Sequence, residues 1–154
     1  MYRHLGMLWK NPSKTGLTER LRDRAILWRR QPSIVVLPKP TRLDRAHSLG
    51  YHAKQGYVVA RVRVRRGGLK KIRAKAGRRQ KKMGILRFTT AKSLRRIAVE
   101  RAAKKFPNLK MLNSYWVWKD GKYHWFEVIM ADPHHPVIAS DHQINWTTHR
   151  ATSN

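Results

Sequence analysis

The stretch YVVARVRVR, residues 57–65, alternates apolar and basic side chains with a period of two. Successive side chains of a β-strand point to opposite faces of its sheet, so this spacing predicts a strand. One face would carry the apolar residues Val58, Ala60, Val62 and Val64. The other would carry Arg61, Arg63 and Arg65, following Tyr57 and Val59. The pattern therefore predicts a strand that packs on a core with one face and presents a row of guanidinium groups on the other.

This strand leads directly into a basic segment. A Gly-Gly pair at 67–68 interrupts the alternation, and twelve Lys or Arg lie within residues 61–82 without one Asp or Glu. Residues 69–82 hold too few apolar side chains to offset the entropy cost of ordering, so we expect them to be disordered in the free protein. Guanidinium groups can bind two phosphate oxygens at once. We therefore expect a phosphate-binding basic extension at about residues 66–85.

The total charge indicates a polyanionic partner. The chain has 154 residues with 35 Lys or Arg and 8 Asp or Glu, which gives a net charge of +27. Residues 45–99 contain eighteen basic side chains and no acidic one. Self-repulsion on this scale destabilises a compact state unless a polyanion neutralises it, and nucleic acid is the first choice. An anionic membrane surface is the weaker alternative, and no apolar run is long enough to span a bilayer.

The remaining segments predict a mixture of helices and strands around one core. Leu21, Ala25 and Trp28 recur at helical spacing, which predicts a helix from a Thr18 cap to about Gln31. Three further segments are a buried strand at 34–37, a short helix at 44–49 closed by Gly50, and a helix from Thr90 to about Lys105 with the apolar stripe Leu94, Ile97, Ala98 and Ala102. The fold class is therefore α+β, a small antiparallel or mixed sheet packed with helices, plus a long basic extended loop.

The clearest hairpin signal lies in the last third of the chain. Two apolar segments, residues 110–119 and 122–131, flank the dipeptide Asp120-Gly121, which is a strong two-residue turn signal. With that loop, the cross-strand pairs would be Trp118 with Tyr123, Trp116 with Trp125, Leu112 with Ile129, and Tyr115 facing Phe126. Both faces are apolar, so we expect a central hairpin of the core sheet. These aromatic residues could stack unpaired bases, but a core role is favoured at this spacing.

Motifs for catalysis and for metal or cofactor binding are not found. The absence of cysteine excludes disulfides and cysteine-based zinc sites, and the eight histidines do not form an HExxH motif or a similar ligand pair. No GxSxG elbow or P-loop occurs, and the few carboxylates are not convincingly paired. We therefore expect no enzyme activity, no cofactor and no bound metal. No helix-turn-helix or RNA-recognition motif appears, which favours a protein that fills gaps in a large folded RNA.

Long segments of the chain resemble one known family. KPTRLDRAHSLGYHAKQGYVVARVRVRRGG at 39–68, the segment 100–138 and YRHLGMLWKNP at 2–12 are similar to the fifteen-e family of large-subunit ribosomal proteins of archaea and eukaryotes. DPHHPVI at 132–138 resembles the archaeal version. The resemblance covers nearly the whole chain. Family members usually continue with a Gly-, Lys- and Arg-rich tail, and the sequence ends at Asn154, before such a tail would begin.

This resemblance implies a structural protein of the large ribosomal subunit, in the cytoplasm, whose partners are large-subunit ribosomal RNA and neighbouring ribosomal proteins. It implies no cofactor, no small-molecule substrate and no membrane. The candidate RNA-binding residues that it implies are Thr41, Arg42, Arg45, Tyr51, Lys54, Gln55, Gly56, Arg61, Arg63, Arg65, Arg66, Gly67 and Gly68. Charge alone adds Lys70, Lys71, Arg73, Lys75, Arg78, Arg79, Lys81 and Lys82. Residues 1–154 would form a single RNA-binding domain with the basic extension.

Three other classes of protein remain as alternatives. A DNA-compacting architectural protein would share the charge, but it should prefer duplex DNA and expose a wedge for the minor groove. A small RNA-processing enzyme would need a carboxylate or histidine cluster. A membrane-surface protein would need an amphipathic helix with a bulky apolar face, and the predicted helix at 90–105 contains too many alanines for strong insertion.

Overall fold

The computed structural model describes residues 1–68 and 90–144 of the chain. Their helices and strands, in chain order, are α1 (Tyr2–Lys10), α2 (Leu17–Arg30), β1 (Ile34–Leu37), α3 (Leu43–Ser48), β2 (Tyr57–Arg65), α4 (Leu94–Lys105), β3 (Lys110–Lys119), β4 (Tyr123–Ala131) and α5 (Pro136–Ala139). The four strands form an antiparallel sheet in the order β1-β2-β4-β3. This arrangement confirms the predicted α+β class and the predicted bounds of β2.

Helices cover both faces of the sheet. On one face, α2 and α3 pack against a core that contains Trp28, Val59 and Trp125. On the other, α4 places Ala98 and Ala102 against Val62 and other residues of the alternating stretch in β2. The apolar stripe predicted for α4 is therefore confirmed. The two central strands, β2 and β4, are enclosed on both sides.

The enclosure of β2 overturns one prediction from its alternating sequence. The arginines do point away from the valines, but α2 lies over them, and Arg61 is only 7% exposed. The expected row of guanidinium groups in solvent is therefore wrong for Arg61. Arg63 is half-buried, and Arg65 at the end of the strand is exposed. The alternation identified the two faces of the strand but could not show that a helix covers both.

The helix ends differ from those predicted. Gly16, with a φ of +66°, is the N-cap of α2, and Thr18 lies inside the first turn, where its N–H donates to the carbonyl of Pro12. Helix α4 begins after Ser93 rather than at Thr90, because the Ser93 hydroxyl accepts a hydrogen bond from the Arg96 N–H. A serine acceptor of this kind satisfies one of the unpaired amides of the first turn.

The hairpin forms, but its predicted register is wrong near the turn. Lys119 pairs with His124 and Trp118 with Trp125, so the loop is Gly121-Lys122 and not Asp120-Gly121. The reason is the Asp120 carboxylate, which accepts hydrogen bonds from the N–H groups of Lys122 and Tyr123 at 2.7 and 2.6 Å. Two irregularities along β3 then shift the pairing, and Asn113 faces Ile129 in place of Leu112.

The sheet edges also depart from expectation. Strand β3 lies at one edge, so only β4 of the predicted central hairpin is central. The strand predicted at 34–37 is confirmed, but it lies at the other edge, where Val36 is largely exposed, so its predicted burial is wrong. Among the described residues, no helix is long and apolar enough to cross a membrane. The predicted disorder at 69–82 concerns residues outside those described.

Candidate nucleic-acid interface

A basic cleft lies where β2 ends. The exposed residues Arg65, Arg66, Gly67 and Gly68 form one wall, and the start of α4 with Thr90 and Arg101 forms the other. The cleft has a volume of about 530 Å³, and the apolar side chains Val64, Leu94 and Ile97 also line it. No carboxylate is among the described residues that line it. Within this part of the chain, three guanidinium groups therefore surround a concave surface that no acidic side chain lines.

The hairpin turn holds the end of β2 in place. The Arg66 N–H donates to the carbonyl of Lys122 at 2.8 Å, and its guanidinium donates to the carbonyl of Asp120 at 3.2 Å. Gly67 follows with a φ of +88°, a conformation that a residue with a Cβ rarely adopts. The chain therefore turns sharply at Gly67, immediately after an arginine that the backbone fixes.

Arg101 of helix α4 completes the cleft. Its guanidinium donates to the carbonyl of Arg63 at 3.1 Å, so helix α4 and strand β2 are joined at this end. Arg101 lies within the helix predicted from Thr90 to about Lys105, but it was not identified as a site residue from the sequence. Its position three residues after Ala98, on a helix that packs over β2, is the signal that could have indicated it.

His124 lies beside the cleft, directly across from Val64 in the sheet. Its ring stacks on Phe126 with 6.2 Å between centroids. Burial lowers the pKa of His124, and the positive charges of Arg66 and Lys119 lower it further, while Asp120 acts weakly in the other direction. Burial and the two nearby positive charges therefore favour the neutral imidazole. The same positive charges would favour a bound anion.

Two of the arginines that were predicted to bind RNA make contacts inside the fold. The Arg61 guanidinium lies 4.2 Å from the centroid of the Trp28 ring and donates to the Gln31 side chain. Arg63 lies over the ring of Tyr123 at 4.7 Å and donates to the carbonyl of Arg29. Burial lowers the pKa of Arg61, although an arginine remains charged in proteins. These two side chains attach α2 to the sheet.

A buried acidic residue, Glu127, lies next to Arg61 in the sheet. It is the cross-strand neighbour of Arg61 and is fully buried. Its carboxylate accepts hydrogen bonds from the Thr41 N–H at 3.1 and 3.3 Å and from the Tyr115 hydroxyl. Burial raises the pKa of Glu127, and the pKa of Tyr115 is raised by its own burial and by this carboxylate. Thr41, a predicted site residue, therefore positions the chain before α3.

Three more of the predicted residues are also engaged within the fold. Arg42 lies 4.5 Å from the Trp9 ring centroid and pairs with Asp44 at 3.4 Å. Tyr51 is buried in the core below α3. Gly56 has a φ of +88°, and a Cβ there would lie 2.5 Å from Cγ1 of Ile138. The contacts of Arg42 with Trp9 and of Gly56 with Ile138 could not be predicted from local patterns, because these partners lie more than thirty residues away along the chain.

The last group of predicted residues is exposed. Arg45 and Gln55 lie on the surface around α3, and Lys54 pairs with Asp141 at 2.9 Å while remaining half exposed. The structure therefore brings Arg65, Arg66, Gly67 and Gly68 together and leaves Arg45, Lys54 and Gln55 elsewhere on the surface. The basic residues predicted from charge alone, Lys70, Lys71, Arg73, Lys75, Arg78, Arg79, Lys81 and Lys82, lie outside the described residues.

The hairpin aromatics divide between core and surface. Trp125 and Phe126 are buried, as the favoured interpretation predicted, whereas Trp116 is 36% exposed. Within residues 1–68 and 90–144, no group of three His, Asp or Glu side chains could hold a metal ion.

Comparisons with known proteins agree across the whole chain. A family model described as Ribosomal L15 matches residues 1–154. The chain is also similar to the large ribosomal subunit protein eL15 of Methanocella arvoryzae, with 52% identity over 147 residues. That alignment covers 96% of this chain and 75% of the relative. The family match includes every helix and strand described above.

Proposed function

Because the chain belongs to the L15e family of ribosomal proteins, we propose that it binds folded large-subunit ribosomal RNA through phosphate contacts made at the end of β2. The chain is a structural protein of the large ribosomal subunit, in the cytoplasm, and it is not an enzyme. The partners within the subunit are ribosomal RNA and neighbouring ribosomal proteins. The protein contributes to translation by supporting the architecture of the particle.

The proposed RNA contact rests on the residues that line one basic cleft. Arg65, Arg66 and Arg101 line a cleft of about 530 Å³, and within residues 1–68 and 90–144 no carboxylate lines it. Guanidinium groups form paired hydrogen bonds with phosphate oxygens, and Gly67 and Gly68 leave the backbone open to close approach. The hydrogen bonds from Arg66 to the hairpin turn fix the cleft before RNA arrives, which lowers the entropy cost of binding.

We divide the candidate RNA-binding residues into two groups according to whether they are exposed or enclosed. We assign direct phosphate contact to the exposed group Arg45, Lys54, Gln55, Arg65, Arg66, Gly67 and Gly68. We add Arg101, because it lines the same cleft. We assign a positioning role to the enclosed group Thr41, Arg42, Tyr51, Gly56, Arg61 and Arg63. The basic residues at 70–82 extend the phosphate contacts by charge. Recognition of this kind depends on RNA shape and backbone and needs no base-specific reading.

The salt dependence of RNA binding tests this assignment. Each lost phosphate contact lowers the slope of log affinity against log salt by about one. We therefore expect R65A/R66A to lower the slope for large-subunit ribosomal RNA by about two. The control K10A/K14A removes the same charge from exposed residues of the N-terminal region and should leave the slope nearly unchanged. Equal losses in both variants would mean that charge acts diffusely, and the assigned cleft would then be wrong.

A duplex DNA competitor addresses the DNA-compacting alternative. A protein suited to folded RNA should be released from ribosomal RNA by unlabelled ribosomal RNA at much lower concentration than by random-sequence duplex DNA. Equal competition by both would favour general binding to polyanions. In cell lysates, the chain should remain with the large subunit through a salt wash and be released after ribonuclease treatment.

A further inference from the structure

A second concave surface lies on the far side of the hairpin turn from the phosphate cleft. It runs between α2 and the edge strand β3 and has a volume of about 580 Å³. Ala25, Ile26, Trp116 and Trp118 line its apolar floor. This volume is typical of ligand-binding clefts, which span about 300–1,000 Å³. We call it the tryptophan groove.

Large apolar side chains remain exposed in the tryptophan groove. Trp116 is 36% exposed and Ile26 is 47% exposed, although the adjoining core of the sheet buries Trp125 almost completely. The rings of Trp116 and Trp118 are 6.3 Å apart and inclined by 35°. The pairing with β4 is irregular between these two residues, and such irregularities re-aim side chains at sheet edges. The floor is therefore an aromatic surface that the described part of the fold leaves open.

The rim of the groove is basic. Arg22, Arg29 and Lys119 line it and are exposed. Among the described residues that line the groove, Asp120 is the one with a carboxylate. It is already engaged, since it pairs with Arg29 at 3.3 Å and accepts two backbone hydrogen bonds. An occupant would therefore meet an aromatic floor and a positively charged edge.

We propose that the tryptophan groove binds an unstacked nucleobase of single-stranded RNA, with the base against Trp116 and its flanking phosphates at Arg22 and Lys119. Every base has an aromatic face that can stack on tryptophan, and cations beside such a platform follow the backbone. This assignment deepens the proposed function and rests on it. The two surfaces share the hairpin turn, because the Arg66 guanidinium donates to the carbonyl of Asp120. One RNA segment can therefore reach both.

The test uses the full chain and a single-stranded oligouridine that carries 5-bromouridine at one position. Illumination should cross-link the bromouridine to Trp116, and mass spectrometry of the digested complex identifies the residue. W116A should weaken binding of the unmodified oligouridine by about 5- to 150-fold at every salt concentration. Its salt slope should stay unchanged, whereas K119A should lower the slope by about one. W116F, which retains a stacking ring, should recover most of the affinity.

Controls separate this inference from the proposed function. Tyr2 is exposed on α1, outside the groove, so Y2A should bind as the unmodified protein does. If W116A binds normally while R65A/R66A is weakened, the groove assignment is wrong and the phosphate cleft stands. If neither W116A nor R65A/R66A binds RNA more weakly, the groove assignment and the phosphate cleft are both wrong. If W116A binds oligouridine normally but is poorly incorporated into large subunits in cells, a neighbouring protein occupies the groove and the inference is overturned.

Discussion

The guanidinium of Arg61 lies 4.2 Å from the ring centroid of Trp28 and directly across the sheet from the buried carboxylate of Glu127. One of the arginines in the most basic strand of the protein is thus enclosed between a helix and the sheet. Arg63, two positions further along the strand, also makes a contact inside the fold, because its guanidinium lies over the ring of Tyr123. Arg65 is exposed. Most of the alternating stretch therefore makes contacts inside the fold, and the RNA contacts that we propose lie only at its end.

Replacing Arg61 should destabilise the fold more than it weakens RNA binding at the cleft. R61A removes the cation–π contact with Trp28 and the hydrogen bond to Gln31, both of them largely shielded from water. A desolvated cation–π contact and a hydrogen bond from a charged group contribute about 2 kcal/mol each. We expect a decrease of this size in the free energy of unfolding, measured by urea titration.

The matched change is R65A, at the exposed end of the same strand. Surface substitutions of this kind usually alter stability by less than about 0.5 kcal/mol. R65A should therefore unfold like the unmodified protein and bind RNA more weakly. Similar unfolding midpoints for R61A and R65A would contradict the interior role of Arg61.

Glu127 should be needed for the position of the segment before α3. E127A leaves the Thr41 N–H and the Tyr115 hydroxyl without their acceptor, and each unsatisfied buried group costs about 1–3 kcal/mol. We expect a loss of about 2–4 kcal/mol in urea unfolding. E127Q retains one acceptor oxygen and should lose less. An E127A variant as stable as E127Q would show that these hydrogen bonds contribute little.

The pH dependence of stability gives an independent check on Glu127. Burial raises its pKa in the folded state, so the folded protein holds this proton more tightly than the unfolded chain does. The contribution of Glu127 to the free energy of unfolding should therefore fall as pH rises above the ordinary glutamate pKa of about 4.3. The difference between the unmodified protein and E127Q should decrease over that range. A difference that grows with pH would contradict the raised pKa.

Gly56 should not tolerate a side chain. G56A would place a Cβ 2.5 Å from Ile138 Cγ1, at a φ of +88°. A residue with a Cβ held in this backbone region costs about 1–3 kcal/mol, before the clash is relieved. We expect thermal unfolding at a clearly lower temperature. The control is G121A in the hairpin loop, where nothing lies within 4 Å of the added Cβ, and it should change the midpoint little.

His124 should couple RNA binding to protonation. Its pKa is lowered by burial and by Arg66 and Lys119, and a phosphate bound beside Arg66 would offset that repulsion and raise it. Binding should then take up a proton, so affinity should increase as pH falls below the ordinary histidine value of about 6.5. Each unit of pKa increase gives at most about a tenfold gain.

The comparison is between the unmodified protein and H124N, titrated with RNA at pH 7.5 and pH 5.5. The exposed histidines contribute equally to both, so the difference between the two profiles isolates His124. H124N should gain less affinity at pH 5.5 than the unmodified protein. Parallel profiles would mean that no phosphate lies near His124, and the assignment of the cleft would be weakened with it.

Local patterns predicted most of the elements but not what covers them. The period of two identified β2, and the stripe containing Ala98 identified α4. Neither pattern could show that α2 lies over the arginine side of β2, because burial of Arg61 depends on Trp28. Only the three-dimensional arrangement brings these residues together.

The hairpin shows a similar limit on a smaller scale. Asp120-Gly121 correctly indicated a turn, but the loop moved by one residue because the Asp120 side chain accepts two backbone hydrogen bonds. Irregular pairing along β3 then altered the partners of its aromatic residues. Among the candidate site residues, charge could not separate the exposed Arg65 and Arg66 from Arg42, whose guanidinium is held by Trp9 and Asp44.

The pairing of β2 with β4 has a consequence for how the chain folds. To bring Arg65 beside Tyr123, the chain must close residues 66–122, which carry nineteen Lys or Arg and two carboxylates. Long-range strand pairing is slow because loop closure precedes the contacts that reward it, and mutual repulsion along this loop opposes closure further. A polyanion present during synthesis would remove that repulsion. Ribosomal RNA would then also accelerate the folding of this protein.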